Sequence, residues 1–277
     1  MGLRINTNVS SLSAQRALGV TKNNLDSNFR KLSTGERITR ASDDAAGLAI
    51  SEKLKSHIRG LRQAKRNSDD GISLIQTAEG GLNEVSSIII RLRELAVQAA
   101  SDTVGDTERG FSDIEFQNLK DEIQRISEGS EFNGRKLLDG SGGMVEIQVG
   151  IHNDPTNDRI KYDSTTTDAS MEALGIISET IANKEGAQLS LEKLDNALVR
   201  INGVRANLGA LQNRLQSASN NIMVTEENFS AANSRIRDVD VASETAELAK
   251  NNILTQAGVS VLAQANQSTS AAMKLIG

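Results

Sequence analysis

The feature that most constrains this chain is a run of apolar residues spaced alternately three and four positions apart. The run extends from Leu194 to Ile236, and Thr225 is its single polar interruption. Its members are Leu194, Ala197, Ile201, Val204, Leu208, Leu211, Leu215, Ala218, Ile222, Phe229, Ala232 and Ile236. Such spacing over about six repeats predicts a coiled-coil seam. At about 1.5 Å per residue the helix would be roughly 60 Å long, too long for burial inside one compact domain.

The same spacing recurs between Leu54 and Ala99 and is most regular from Ile72 onward. A shorter seam covers residues 116–126, and we expect Asp113 or a neighbour to cap the start of its helix. Glycines weaken helices, so the second seam should bend near those it contains. They are Gly60, Gly71, Gly80 and Gly81. These seams together predict a mainly α chain with a long antiparallel coiled-coil rod.

One segment has the two-residue period of a strand. Residues 144–150 alternate so that Val145, Ile147 and Val149 share a face, and residues 159–163 can return beside them. The connecting segment holds Pro155, which is the single proline of the chain and a strong turn signal. We therefore predict a small β-hairpin region at about 140–165, and no other sheet.

The sequence predicts a helix at each end of the chain, at residues 3–33 and 240–276. Residues 34–43 are predicted to form an extended connector, followed by a helix that Ser42 or Asp43 caps. The second terminal helix carries one charged residue after Lys250. A helix with so few charges is normally buried on all sides, and here only other chains could cover it. The sequence thus predicts assembly through residues of an inner layer, namely Ile5, Val9, Leu12, Leu25, Phe29, Leu32, Ile253, Ala257, Val261, Leu262 and Ala265.

Composition and motifs argue against several other classes of protein. The chain has no cysteine, which excludes disulfides and thiolate chemistry, and it has no basic stripe of the kind that binds nucleic acid. No apolar run is long enough to span a membrane, and no cleavable signal is evident. His57 and His152 fall in different elements, without a ligand set or nucleophile around them. We expect no enzyme activity, no metal and no cofactor.

Several motifs resemble those of bacterial flagellin, in the order in which that family carries them. They are INTNVSSLSAQRAL at the start, LSTGERITRASDDAAGLAIS (32–51), RNSDDGISLIQTAEGGLNEV (66–85), RELAVQAA (93–100), EFNGRKLL (131–138), IQVG (147–150) and SVLAQANQ (260–267). The resemblance covers residues 1–150 and 175–277. Because several independent motifs agree, the match is specific to the family.

The resemblance implies a subunit of the helical filament that bacteria rotate to swim. Residues 1–43 and 238–277 would pair into an inner coiled-coil tube, and residues 44–237 would form the surrounding rod domain. The short span between IQVG and the returning helices implies a minimal form without an outer variable domain. The family is exported unfolded by the flagellar type III apparatus and assembles at the filament tip. The resemblance also implies several partners: further copies of the chain, a secretion chaperone at the C-terminal helix, and the filament cap and hook–filament junction proteins. It implies that the protein is secreted and extracellular.

Two surface features have a further interpretation by resemblance. Arg91, Leu95 and Glu115 match positions at which Toll-like receptor 5 recognises flagellins, although the plain alternative is that they are ordinary rod residues that help subunits pack. The loop Ser164, Thr165, Thr166 and Thr167 could carry O-glycans, as in some flagellins. Two other classes remain open from sequence alone: the hook–filament junction protein, which resembles flagellin at its ends, and an intracellular coiled-coil scaffold.

Overall fold

A computed structural model describes the backbone of residues 7–273 and the side chains of residues 7–267. The fold is mainly α with a small antiparallel β region, as the apolar spacing predicts. In chain order the elements are α1 (Val9–Thr34), α2 (Ala45–Ala99), α3 (Asp106–Gly129), β1 (Glu131–Phe132), β2 (Arg135–Lys136), β3 (Met144–Gln148), β4 (Arg159–Asp163), a 3-10 turn (Ser164–Thr167), α4 (Met171–Leu174), α5 (Lys184–Arg237) and α6 (Val241–Met273).

The chain divides into two compact units, and each end of the chain contributes to the same one. His57–Glu227 form one unit, and the described residues of 1–56 and 228–277 form the other. The helices α2 and α5 each supply residues to both. The expected inner layer, 1–43 with 238–277, and the expected rod domain, 44–237, refer to a polymer and remain predictions.

Within the unit His57–Glu227, α2 and α5 run antiparallel. Three ion pairs join the helices: Arg62–Glu226 (2.6 Å), Glu79–Arg205 (3.9 Å) and Arg93–Asp195 (2.6 Å). The residue numbers increase along α2 while those of the partners on α5 decrease, which is the order of an antiparallel pair. The predicted seam of α5 is buried at Leu194, Ile201, Leu208 and Leu215. Beyond Ile222 its members are only half-buried. Seam residues of α2, α3 and α5 belong to one continuous core.

Helix α2 continues through Gly60, Gly71, Gly80 and Gly81 without a break. Two of them allow another element to approach closely. A Cβ on Gly71 would lie 2.7 Å from Ile147 Cδ1, and a Cβ on Gly81 would lie 2.7 Å from Leu138 Cδ1. A side chain at either position would force Ile147 or Leu138 to shift, so these glycines allow the close approach of the β-hairpin and of the segment after β2 and do not bend the helix.

The caps of α2 and α3 differ from the expectation. The side chain of Asp44, not of Ser42 or Asp43, caps α2 by accepting the Gly47 N–H at 2.8 Å. Asp43 instead accepts the Thr39 hydroxyl and the backbone N–H groups of Thr39 and Arg40, which lower the pKa of its carboxyl group. The cap predictions erred by one residue here because three capping residue types stand side by side.

Helix α3 begins at Asp106, seven residues before the expected cap. Asp113 lies inside the helix, where its Oδ1 accepts the Thr180 hydroxyl at 2.9 Å and the Ile181 N–H at 2.8 Å. The carboxylate therefore fastens the segment that precedes α5. The sequence shows that Asp113 is a residue type that often caps helices, but it does not show that the groups that donate to it come from Thr180 and Ile181.

The β region confirms the predicted hairpin and adds a second pair of strands. β3 pairs with β4 from Met144↔Asp163 to Gln148↔Arg159, and Ile147 and Val149 are buried on the expected face. The short strands β1 and β2 also pair, and the prediction of a single sheet was wrong. They are joined by Asn133 and Gly134, with φ angles of 51° and 77°, and this Asn-Gly turn was the available signal.

In the second unit, α1 and α6 pair antiparallel. Asn8 caps α1 by accepting the Ser11 N–H at 3.0 Å, and its amide Nδ2 donates to the Ala265 carbonyl of α6 at 2.9 Å. At the other end of the pair, Lys31 Nζ lies 3.5 Å from Glu244 Oε1. The predicted pairing of the terminal helices therefore holds within one chain, while Ile5 lies outside the described residues.

The connector between α1 and α2 is tied to the end of α5. The Arg37 N–H donates to the Arg237 carbonyl at 2.6 Å, and Arg237 Nε lies 2.8 Å from Glu36 Oε1. Arg237 also forms an ion pair with Glu52 of α2. These charge-assisted contacts fix the extended segment that the sequence predicts at 34–43.

Candidate assembly surface

The terminal helix pair, α1 with α6, has a seam that follows the coiled-coil spacing on both helices. On α1 the covered positions include Ser11, Ala14, Leu18, Thr21, Leu25, Asn28 and Leu32. Among described side chains, the covered positions of α6 are Glu244, Leu248, Asn251, Thr255, Gly258, Leu262 and Ala265. Both series alternate three and four residues, so the two helices pack as an antiparallel coiled coil.

The centre of this seam is polar. Of the described α1 and α6 side chains, those that are buried are Ser11, Asn28 and Asn251, at 7%, 7% and 6% exposure. Asn251 Nδ2 donates to Asn28 Oδ1 at 2.9 Å, and Asn28 Nδ2 donates to Glu244 Oε1 at 2.5 Å. Buried amides are costly unless they are hydrogen-bonded, and these are. The seam therefore contains a connected polar cluster where a dimeric coiled coil usually has apolar side chains.

Five leucines are half-buried in the seam, but nine other large apolar side chains of the pair are exposed. We call them the exposed apolar face: Val9, Leu12, Val20, Phe29, Val241, Ile253, Leu254, Val259 and Val261. Each is between 46% and 65% exposed. Other helices also expose large apolar side chains, but nine on one pair of helices are enough to form an interaction surface. The pair thus leaves these nine side chains available to other chains, while leucines and the polar cluster share its seam.

The expected inner-layer residues divide between these two sides. Val9, Leu12, Phe29, Ile253, Ala257 and Val261 are exposed, whereas Leu25, Leu32, Leu262 and Ala265 are half-buried in the seam. Sequence reasoning missed Val20, Val241, Leu254 and Val259 on the exposed side. It also missed Asn28, although this residue stands three positions after Leu25 and four before Leu32, where the seam requires a covered side chain.

The expected receptor patch is only partly on the surface. Arg91 and Glu115 are exposed and paired at 3.0 Å, and Arg91 also pairs with Glu94 at 2.9 Å. The hydrogen bonds that Arg91 donates to Glu94 and to Glu115, the former having the larger effect, raise the pKa of its guanidinium. Leu95, by contrast, is 3% exposed and lies in the core, so the expectation that it contributes a surface contact is wrong for this conformation.

The expected glycan loop is a 3-10 turn with two buried members. Ser164 and Thr167 are 1% and 4% exposed, and the Thr167 hydroxyl donates to the Leu137 carbonyl at 2.8 Å. These two hydroxyls are not accessible to a modifying enzyme. Thr165 and Thr166 are exposed and remain candidate acceptors.

Other candidate sites are sparse. His57 and His152, distant in sequence, bring their rings to 5.9 Å in an edge-to-face contact. The described residues hold no group of three or more His, Cys, Asp or Glu side chains arranged to bind a metal ion. Within the described part of the chain, no helix combines the length and apolar character that crossing a membrane requires.

Comparison with known proteins matches both ends of the chain to one family. Residues 5–142 match the bacterial flagellin N-terminal helical region, and residues 191–276 match the bacterial flagellin C-terminal helical region. A flagellin of Halalkalibacterium halodurans is 46% identical over 98% of this chain and 99% of its own length. The flagellar filament 30.7 kDa core protein of Treponema maltophilum is 42% identical over 95% of each chain. The crystal structure of Bacillus cereus flagellin, 33% identical, superposes with a TM-score of 0.51 over 61% of this chain and 94% of that one. The chain therefore belongs to the bacterial flagellin family.

Proposed function

We propose that this chain is a structural subunit of the bacterial flagellar filament and that it polymerises through its terminal helix pair. The exposed apolar face carries this proposal, because its nine side chains are about half exposed or more in the single chain. The relatives named flagellin and flagellar filament core protein match almost the whole chain, which supports a filament subunit. The hook–filament junction alternative is not favoured by these relatives.

Stable association requires most residues of the exposed apolar face to be buried together. Burying the remaining exposed part of one Val, Leu, Ile or Phe side chain contributes about 1–2 kcal/mol. Association of two chains costs on the order of 4–15 kcal/mol in lost freedom before any net binding results. One or two residues cannot offset this cost, but most of the face buried together can. Polymerisation should therefore depend on these residues jointly. A heterologous contact, in which two different surfaces meet, extends into a filament when its rotation does not close into a ring.

The same residues support proposals about partners before assembly. The α6 part of the face includes Ile253, Leu254, Val259 and Val261, all exposed. A secretion chaperone that covers this helix would keep subunits from associating before export. Export of an unfolded chain is supported by the absence of cysteine and the presence of one proline, since neither disulfide exchange nor several proline isomerisations would delay refolding. Cap and junction proteins would meet the same surfaces at the filament ends, outside the cell.

Two proposals concern the surface of the other unit. Arg91 and Glu115 are exposed and would contact Toll-like receptor 5, with Leu95 supporting them from the core. A reporter-cell assay with the purified chain tests this, and a silent assay contradicts it. Thr165 and Thr166 would accept O-glycans, and mass spectrometry of native protein that shows both residues unmodified contradicts that role.

Seeded growth tests the central proposal. Purified full-length chain is added to short, sheared filaments of the same protein, and electron microscopy records filament length with time. We expect extension at the seed ends and none in a matched sample without seeds at the same low concentration. Failure to extend seeds, with helix content retained by circular dichroism, contradicts polymerisation by this chain and returns the junction protein as the alternative.

A further inference from the structure

In the seam of the terminal helix pair, leucines of α1 recur every seven residues, at Leu18, Leu25 and Leu32, and Leu18 lies against Gly258 of α6. A displacement of seven residues, about 10.5 Å along the axis, would bring Leu18 opposite Ala265 and Leu25 opposite Gly258, so that leucines again face small residues. Apolar packing alone therefore discriminates poorly between registers of this pair.

We propose that Asn28, Asn251 and Glu244 set the register of α1 against α6 and so determine which apolar residues are presented for assembly. Both amides are buried, and the chain of donors runs from Asn251 to Asn28 and from Asn28 to Glu244. Lys31 closes the cluster on the carboxylate at 3.5 Å. A single buried asparagine is known to fix register in other coiled coils, at a cost in stability.

Displacement by one heptad in either direction separates the two asparagines. In one direction Asn28 comes opposite Gly258, which has no side chain to bond with it. In the other direction Asn251 comes opposite Thr21, whose hydroxyl already donates to the Ala17 carbonyl of its own helix. Either displacement leaves a buried amide short of a partner, which is the costly outcome. The native register is the one in which both amides are satisfied.

The function of this cluster deepens the proposed assembly and rests on it, because the register decides which exposed apolar residues of α6 lie beside those of α1. A displaced α6 would move Ile253 and Val261 by two turns relative to Phe29 and Leu12. Neighbouring subunits would then meet a different surface. The polar cluster thus acts as a specificity determinant for polymerisation while contributing no apolar area itself.

Because the chain has no cysteine, engineered cysteine pairs report the register directly. The native register is reported by Leu18→Cys with Gly258→Cys, since a Cβ on Gly258 lies 3.1 Å from Leu18 Cδ1. The two displaced registers are reported by Leu18→Cys with Ala265→Cys and by Ser11→Cys with Gly258→Cys. Disulfide bonds need Cα atoms within about 7 Å, so each pair reports one register. Intramolecular products, which keep the monomer mass on a gel, are measured after mild oxidation of the full-length chain.

The three pairs are compared in the parent chain, in Asn28→Leu/Asn251→Leu and in a matched control, Thr21→Leu/Thr255→Leu. The control also makes the seam more apolar, but both threonine hydroxyls bond only to their own helices, at 3.0 Å to Ala17 and 2.8 Å to Asn251. We expect the parent and control to form mainly the native pair. In the asparagine variant the yield of displaced pairs should rise about tenfold, the effect of relieving one buried unpaired polar group.

Displaced pairs that stay as rare in the asparagine variant as in the parent overturn the proposal, as do equal yields of all three pairs in the parent. Circular dichroism ensures that the variants compared have the parent's helix content. The assay needs no filament, so its result is separate from that of seeded growth. Failure of growth with an intact register contradicts the assembly proposal alone, and loss of register specificity in the control contradicts the role of the asparagines alone.

Discussion

Replacing one exposed apolar residue of α6 should weaken assembly without weakening the subunit. Ile253 is 65% exposed in the single chain, so its side chain contributes little to the stability of the subunit. Burying a whole Ile side chain contributes about 1.5–3 kcal/mol, and roughly two-thirds of that, about 1–2 kcal/mol, is available to an interface. Ile253→Ser should therefore raise the critical concentration for filament growth by about 5- to 30-fold.

The assay is the free subunit concentration that remains after seeded growth has reached a plateau, measured by sedimentation. Gln264→Ser is the matched control, because it shortens an exposed α6 side chain that is already polar. We expect the control to keep the parent's critical concentration and both variants to keep the parent's midpoint of urea unfolding. An Ile253→Ser variant that polymerises as readily as Gln264→Ser would refute the assignment of this residue to an intersubunit contact.

Three further predictions follow from contacts inside the subunit. Ile201→Ala removes a fully buried side chain of the α5 seam and should lower the free energy of unfolding by about 2–5 kcal/mol. Val199 is 72% exposed, so Val199→Ala should change that free energy by less than about 0.5 kcal/mol. Urea unfolding measures both values, and equal losses contradict the burial of the seam. Asp44→Ala should cost about 0.5–2 kcal/mol through loss of the α2 cap, and Ser42→Ala should cost less, with the reverse order contradicting the observed cap. The hydrogen bond from Arg93 lowers the pKa of Asp195 below its ordinary 3.8. The stability that this pair adds is therefore present above pH 3.8 and is lost as the pH falls through the pKa of the folded state. Asp195→Asn should flatten that part of the acid unfolding curve, and an unchanged curve contradicts the pair's contribution.

The rod could be predicted from the sequence because burial there is governed by one rule, the apolar period of a helix. Leu194, Ile201 and Leu208 lie where the three–four spacing places them, and the hairpin follows from a period of two and a single proline. Leu95 shows the limit of that rule. The buried stripe of α2 near Ala99 is wider than one seam, since Leu92, Leu95 and Ala96 are all buried together. A single sequence does not show that α3 joins the same core.

The terminal helices show a second limit. Apolar spacing on α6 selects Ala246, Ala249, Ile253, Ala257, Val261 and Ala265, and all of these except Ala265 are exposed in the single chain. The seam that meets α1 contains Asn251 and Glu244 beside Leu248 and Leu262. The usual rule assumes that apolar spacing marks the side that packs within its own chain, and under the proposed assembly this assumption fails because the exposed side chains contact another subunit. The conflict between apolar spacing and burial is therefore itself the signal of assembly.

A cryo-electron microscopy map of filaments grown from this chain tests the central claim most directly. The measured quantity is the exposed fraction of the nine residues of the exposed apolar face in a central subunit. We expect most of them, Ile253 and Phe29 included, to change from about half exposed to buried against neighbouring subunits, with Asn28 still bonded to Asn251. A filament in which these residues remain in contact with solvent would contradict assembly through the terminal helix pair.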